Sequence, residues 1–373
     1  MEPNDRLVAL KEAVWLRDGY SLVVMFDPSV TTRIADADGQ VERLLGLLRG
    51  GPHRIDDLRR GLAAAGIVLT SAQVDEALQT LDGLGLVENG AQLSLGDPAL
   101  DERHAGSLAF FSSYASLAEG RSARVARLRS AHVLQLGLGG VGSSVLQCLA
   151  GAGVSRLTLV DDDSFELRNL VRQFPYRSAD VGRPKVDRAA EWVRCFDPDI
   201  DVRAVSRRIT AAASLADLLD GVDVVVSSID EPPEAYLWVN EAAVARRIPM
   251  ITGGVGPFYV AYSSVDPGRS ACHACMSRIS AERAGEARGA TERELLRRLD
   301  RPNGSIGPMA TLAGGLVALE AVRYLTGMQP PQAAGARLVM DLRDGLTPRC
   351  TEFHRLADCV VCGELARTTA GLP

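Results

Sequence analysis

The stretches VLQLGLGGVG at residues 133–142 and LTLVDDD at 157–163 decide the fold. The first is an apolar run ending in Gly137-Leu-Gly139-Gly140-Val-Gly142, after which the pattern turns helical. Glycines let the backbone turn tightly and approach a phosphate, while a helix N-terminus offers N–H donors. The second run ends in Asp161-Asp162-Asp163, about twenty residues on, where a carboxylate can bond ribose hydroxyls. Together they predict a nucleotide-binding β-α-β unit. The glycine turn alone is a weak signal, and the pair does not choose between NAD and ATP.

Further apolar runs at 202–205, 222–227 and 250–252 alternate with amphipathic segments. That rhythm predicts an α/β fold with a parallel, doubly wound Rossmann-type sheet between about 121 and 268. Asn169-Leu-Val-Arg172-Gln173 sets an arginine and two amides just past the acidic strand end, and Lys185 opens a further helix. NAD carries only a pyrophosphate to neutralise, whereas a triphosphate under attack needs several cations and a metal ion. Asp230 follows the run at 222–227, and a carboxylate at a strand's C-terminal end suits Mg2+. Each residue taken singly reads as a solvated surface charge. As an ordered set around one crevice they favour ATP.

Cys272-His-Ala-Cys275 and Cys359-Val-Val-Cys362 have the spacing of two half-sites of a tetrahedral four-cysteine zinc centre. Such a closed site staples and does not catalyse. Disulfides or a redox pair are the alternatives, but neither accounts for two matched pairs. His273 lies inside a half-site without being needed as a ligand, and Cys148 and Cys195 read as core residues on helix faces. The apolar run 306–325 contains Gly307, Pro308, Gly314, Gly315, Glu320 and Arg323. It reads as a buried helix whose glycines permit close packing, not as a membrane span. A closing strand is expected at 337–341. The Arg/Glu-rich segment 277–301 includes a run, 291–299, expected as a helix with a solvated charged face.

Residues 1–97 are expected to form a winged-helix-like domain. A strand at 20–26 has a hairpin partner at 31–34, and helical spacing covers 40–49, 55–65 and 71–84, the last capped by Ser71. Segments 86–88 and 91–95 read as a two-stranded wing turning at Asn89-Gly90. Residues 1–100 carry 9 Lys and Arg against 15 Asp and Glu, and the whole chain has a net charge of -6. Phosphates would repel such a domain, so neither nucleic acid nor an anionic membrane is an expected partner; a peptide or protein is. The charged N-terminal stretch lacks a signal peptide's apolar core, so a cytoplasmic location is expected.

Taken together, these motifs resemble the ThiF/MoeB/HesA family of ubiquitin-activating-type adenylyltransferases. The likeness runs from about residue 103 to 363 and rests on the glycine loop, Asp161, Asp163, Asn169, Arg172, Gln173, Lys185, Asp230 and both cysteine pairs. It implies attack of a carboxylate on the α-phosphate of ATP, giving an acyl-adenylate and pyrophosphate. It also implies that Asp161 holds the ribose and that Asn169, Arg172, Gln173 and Lys185 hold the phosphates. Asp230 would hold Mg2+ and the substrate tail, with Asp163 assisting the metal or orienting Arg172. A homodimer is implied as well. Two departures stand out. The family's Arg-Tyr-x-Arg-Gln run, whose second arginine reaches the partner's ATP, reads here Arg103-His-Ala-Gly106-Ser107, with Gly106 in that place and Arg121, Arg124 or Arg127 as substitutes. No cysteine lies in 276–346, where thioester-forming members carry one.

The missing cysteine points to MccB-like enzymes, which adenylate a peptide and use the acyl group directly. Residues 1–97 would then be a PqqD-like clamp that binds a leader peptide by strand addition, and residues 98–373 the adenylation domain. The expected function is activation of the C-terminus or an acidic side chain of a ribosomal precursor peptide. The alternatives are activation of a ubiquitin-like sulfur carrier, a catalytically weak partner delivering a leader peptide to a cyclodehydratase, and an NAD-dependent dehydrogenase.

Overall fold

The computed structural model describes residues 6–27, 29–285, 295 and 304–363. It divides into two compact units, Met1–Arg127 and Leu128–Pro373.

The first unit begins with β1 (Leu7–Leu10), β2 (Val14–Asp18), β3 (Ser21–Asp27) and β4 (Val30–Ala35). It continues through α1 (Gln40–Leu48), β5 (His53–Arg54), α2 (Ile55–Ala64), α3 (Ser71–Gly83) and β6 (Val87–Asn89). Strands β2, β3 and β4 form one antiparallel sheet, while β1 is flanked by β5 and β6 in another. Each helix buries residues three and four apart: Leu44, Leu45 and Leu48; Ile55, Leu58 and Leu62; Val74, Leu78 and Leu81. They meet Val8, Leu22, Val24, Leu86 and Val87 in one core.

Two local expectations are corrected here. The cap of α3 is Thr70, in a reciprocal capping box with Gln73, while Ser71 donates instead to Asp56. The wing's second strand is absent among the described residues. Asn89 Oδ1 accepts from Ala91 N at 3.0 Å and opens a 3-10 turn at Gly90–Gln92, so the chain coils where a hairpin was expected. The unit closes with α4 (Pro98–Arg103), α5 (Ala105–Ser112) and most of α6 (Arg121–Ser130).

The second unit is built on β7 (His132–Leu136), α7 (Gly140–Ala152), β8 (Arg156–Asp161), α8 (Lys185–Phe196), β9 (Asp201–Ser206) and β10 (Val224–Ser227). Next come α9 (Ala235–Ala245), β11 (Met250–Val255), β12 (Tyr259–Val265), α10 (His273–Ala284), α11 (Gly307–Thr326), β13 (Ala336–Asp341) and β14 (Pro348–Glu352). One mixed sheet runs in the order β14-β13-β12-β11-β10-β7-β8-β9. The five strands from β11 to β9 are parallel, as expected of a Rossmann-type fold. Strands β12, β13 and β14 extend it antiparallel, and of these only β13 was foreseen. After β9 the chain returns to the other side of β7, so the strand order reverses between β7 and β10 and leaves a crevice at their C-terminal ends.

Helix α11 lies across α7 and the sheet. A Cβ on Gly314 would stand 2.5 Å from Ser144 Cβ, so a larger residue there would force the helices apart. Among the described residues no helix is long and apolar enough to cross a membrane. Cys148 and Cys195 lie on α7 and α8 but face solvent, so the expectation of core positions fails. The 291–299 run lies outside the described residues, Leu295 apart.

Candidate active site

The glycine loop takes the shape its composition demands. Gly137 has φ +86°, a conformation other residues rarely adopt, and a Cβ there would crowd Ser228 Oγ at 2.9 Å. Gly139 begins α7 without any side-chain cap. A Cβ on Gly140 would meet Arg172 Cδ at 3.1 Å, so this glycine lets the arginine lie over the loop. Gly142 does not line the crevice. Its missing side chain admits Gly137 O, which would stand 2.0 Å from a Cβ, so it locks the turn that the other three expose.

Around this loop the second unit holds a cleft of about 830 Å3. It brings together Gly137, Gly139, Gly140, Asp161, Asp163, Asn169, Arg172, Gln173, Lys185 and Asp230. Asp161, at the end of β8, accepts from Leu138 N at 2.6 Å and Asp163 N at 2.8 Å, tying the glycine loop to the acidic strand end. Burial raises its pKa, opposed by the nearby Lys185 ammonium. Lys185 is buried at the start of α8 and donates to Asp163 Oδ2 at 2.6 Å. Asn169 Oδ1 accepts from Glu166 N at 3.0 Å, which fixes the turn carrying Arg172. Gln173 is 2% exposed, and its amide oxygen has no partner among the described residues although the residue lines the cleft. That oxygen is a buried acceptor left unsatisfied beside the cleft.

Most cations of the cleft are already engaged. Arg168 pairs with Glu166, Lys185 with Asp163, Arg207 with Asp217, and Arg208 lies 4.0 Å from Asp162. Arg172 makes no ion pair among the described residues; it contacts only the Arg168 carbonyl, at 3.5 Å. That leaves its charge available to an anion above the loop. Asp161, Asp162 and Asp163 can bring one carboxylate oxygen each within 4.8 Å of one another, and Asp230 is exposed on the opposite wall. Both places offer oxygen ligands to a divalent cation.

Several lining residues carried no motif: Arg207, Arg208, Thr252, Ser263 and Arg337 among them. The two arginines directly follow β9, and the rule that ligands sit beyond the carboxyl ends of parallel strands would have found them. The other three lie on β11, β12 and β13. His273, the residue between two cysteines, reaches Thr252 Oγ1 from Nε2 at 3.3 Å. Burial, with Arg337 nearby, lowers its pKa to about 4, so its imidazole is neutral at pH 7. The substitutes foreseen for the arginine missing at Gly106 are committed within the first unit: Arg121 to Glu88, and Arg124 and Arg127 to Glu119.

The four cysteines converge. Cys272 Sγ lies 3.8 Å from Cys275 and 3.7 Å from Cys359, and Cys275 lies 3.5 Å from Cys362. Four sulfurs about 2.3 Å from a tetrahedral ion would be about 3.8 Å apart, so the cluster fits zinc and is far too open for a disulfide. Burial raises the thiols of Cys272 and Cys275, and a divalent cation supplies the charge that would offset four buried thiolates.

This geometry agrees with what the chain is similar to. The E. coli sulfur carrier protein ThiS adenylyltransferase is 32% identical over 238 residues, 64% of this chain and 88% of that protein. The SAMP-activating enzyme E1 of Haloferax volcanii is 31% identical over 238 residues, 64% of this chain and 82% of that protein. The crystal structure of E. coli MccB with AMPCPP and MccA aligns with a TM-score of 0.75 at 19% identity, covering 96% of this chain and all of that one, a likeness of fold. Residues 112–361 match the ThiF family as a whole. The chain therefore belongs to the ThiF family and is an ATP-dependent adenylyltransferase of that type.

Proposed function

We propose that this enzyme adenylates a carboxylate of a ribosomal precursor peptide and passes the acyl group on without a thioester. The carboxylate oxygen attacks the α-phosphorus of ATP, the bond to the β-phosphate oxygen breaks, and pyrophosphate leaves. The nucleophile is already an anion, so no general base is required. The work is positioning and charge neutralisation. Gly137, Gly139 and Gly140 offer backbone to the phosphates, Arg172 and Lys185 meet the developing charge, and Asn169 and Gln173 orient it. Asp161 faces the ribose. Mg2+, when bound, would neutralise the departing pyrophosphate, with Asp230 and Asp163 as its ligands. Zinc at Cys272, Cys275, Cys359 and Cys362 is structural in this reading.

The observation that carries the peptide substrate is β2. It is an edge strand of the β2-β3-β4 sheet, and Val14 and Leu16 on one face of it are 64% and 78% exposed. An apolar edge strand that can accept hydrogen bonds is the docking mode of an extended leader peptide. The first unit is then a PqqD-like recognition domain. The absence of cysteine from 276–346 fits direct use of the acyl-adenylate. A homodimer belongs to the same reading, with a second copy covering the exposed Leu167, Val171 and Phe174; a monomer mass by sedimentation would remove that part.

A second reading, activation of a ubiquitin-like sulfur carrier, is favoured by what the E. coli relative at 32% identity is named for. ATP–pyrophosphate exchange separates the two. Exchange stimulated by short peptides with a free carboxylate is expected; stimulation only by a small protein ending in Gly-Gly would replace the first reading with the second.

A further inference from the structure

The cleft does not stop at the nucleotide end. Ser227, Thr252, Ser263 and Arg337 are direct partners across four neighbouring strands, β10, β11, β12 and β13. Directly paired residues point to the same face of a sheet, so these four side chains form one row across the cleft floor. All four line the cleft. Ser227 and Ser263 are buried, and Thr252 Oγ1 lies 3.0 Å from Ser263 Oγ. The row is polar and uncharged until its last member. There Arg337 is exposed, and among the described residues it has no carboxylate partner.

A second cation stands beside it. The Phe353 ring has the Arg337 guanidinium 6.0 Å from its centroid and that of Arg283 at 5.2 Å. Arg283 likewise makes no ion pair among the described residues. Two guanidinium groups held on one aromatic ring repel each other, and an anion between or beside them relieves that repulsion. The opposite end of the cleft has another such cation, Arg172, beside the glycine loop. The cleft thus presents uncommitted positive charge at both ends, joined by a neutral polar floor.

We infer that Arg337 is a specificity-determining residue that binds a second carboxylate of the acyl substrate, selecting peptides with an acidic side chain near the carboxylate to be activated. This rests on the peptide reading above. Three strand spacings put the Arg337 Cα roughly 14 Å from the Ser227 Cα, about four residues of extended peptide. The reach of the two side chains shortens this, so the acid sits about two to four residues from the activated carboxylate.

The test is ATP–pyrophosphate exchange by the full-length enzyme with synthetic hexapeptide pools. Each pool has Glu, Gln or Lys fixed at one of the four positions preceding the C-terminus, and a small carrier protein ending in Gly-Gly serves as comparison. Glu pools are expected to have KM roughly five- to tenfold below the matching Gln pools at one or two positions, the size of a partly exposed ion pair. In Arg337→Gln that ratio falls to about one, Arg337→Lys restores most of it, and Arg337→Glu moves the preference to the Lys pools. Exchange with peptides that shows no Glu preference, or the same preference in Arg337→Gln, overturns the inference and leaves the peptide reading standing. Exchange with the carrier alone, or with neither, overturns the peptide reading and the inference with it.

Discussion

The two halves of the eight-stranded sheet are built on different principles. The parallel half, β7 to β10, is held by helices that cross between its strands, and it frames its end of the cleft with backbone: a glycine turn, a helix N-terminus and one aspartate tied to two N–H groups, around which Arg172, Lys185 and Gln173 are set. The antiparallel half, β11 to β14, in which each strand pairs antiparallel with the next, is linked by the cysteine cluster, since Cys272 and Cys275 follow β12 and Cys359 and Cys362 follow β14. Its cleft contacts come from side chains on facing strands. A glycine loop fits the phosphates of any nucleotide, while a row of side chains can be retuned one residue at a time. The difference suggests that common chemistry sits in the first half and substrate choice in the second.

The largest break in that comparison is removal of the staple. Chelation, or Cys359→Ser with Cys362→Ser, is expected to cost about 5 kcal/mol or more and to lower Tm by about 10 °C or more. Acyl-substrate binding should be lost before ATP binding, because the four cysteines tie the segments after β12 and β14 to each other. Calorimetry with metal analysis checks this. A chain that carries no zinc and keeps its Tm in chelator would contradict the staple.

A matched pair of glycines separates the halves next. In the parallel half, Gly142→Ala drives a Cβ to 2.0 Å from Gly137 O, so stability should fall by about 3 kcal/mol, with loss of exchange. In the antiparallel half, a Cβ on Gly254 meets nothing within 4 Å, and Gly254→Ala should change stability by less than about 0.5 kcal/mol. Denaturant unfolding of the two variants gives the difference directly, and equal losses would show that the loop is not locked as described. In the parallel half, Lys185→Met should lower kcat for exchange roughly a hundredfold with little change in Tm, since its partner Asp163 is left solvated, its side chain 66% exposed. An unchanged kcat would remove Lys185 from the charge-neutralising set.

How much of each half could be read in the sequence follows from the same contrast. Backbone sites need glycines at fixed spacing, so Gly137, Gly139, Gly140 and Gly142 announced the loop, and Asp161 and Lys185 followed from it. Two C-x-x-C pairs announced the cluster. Strands β12 and β14 carried no such mark. β12 is rich in small and hydroxyl residues, Tyr-Val-Ala-Tyr-Ser-Ser-Val, and β14 is exposed along its whole length. Neither shows the apolar run or clean alternation that signals a strand. Arg337 and Thr252 stand 85 residues apart in sequence, and only sheet register brings them onto one face. Local chemistry misled at Asn89-Gly90, where the dipeptide favours a hairpin but the Asn89 side chain caps a 3-10 turn instead.

The smallest expected effect is the sharpest on the division of labour. Thr252→Val keeps the shape of the side chain while removing the hydroxyl that Ser263 Oγ meets at 3.0 Å and His273 Nε2 at 3.3 Å. The neutral imidazole and the serine hydroxyl then lose their shared partner on the cleft floor, a loss worth about 1 kcal/mol. KM for the acyl substrate should rise about three- to tenfold while KM for ATP stays constant, because the Thr252 hydroxyl bonds Ser263 and His273 and, among the described residues, neither the glycine loop nor Asp161. A parallel rise in both constants would mean that the two halves respond as one unit. Substrate choice would then have to be sought outside the antiparallel strands.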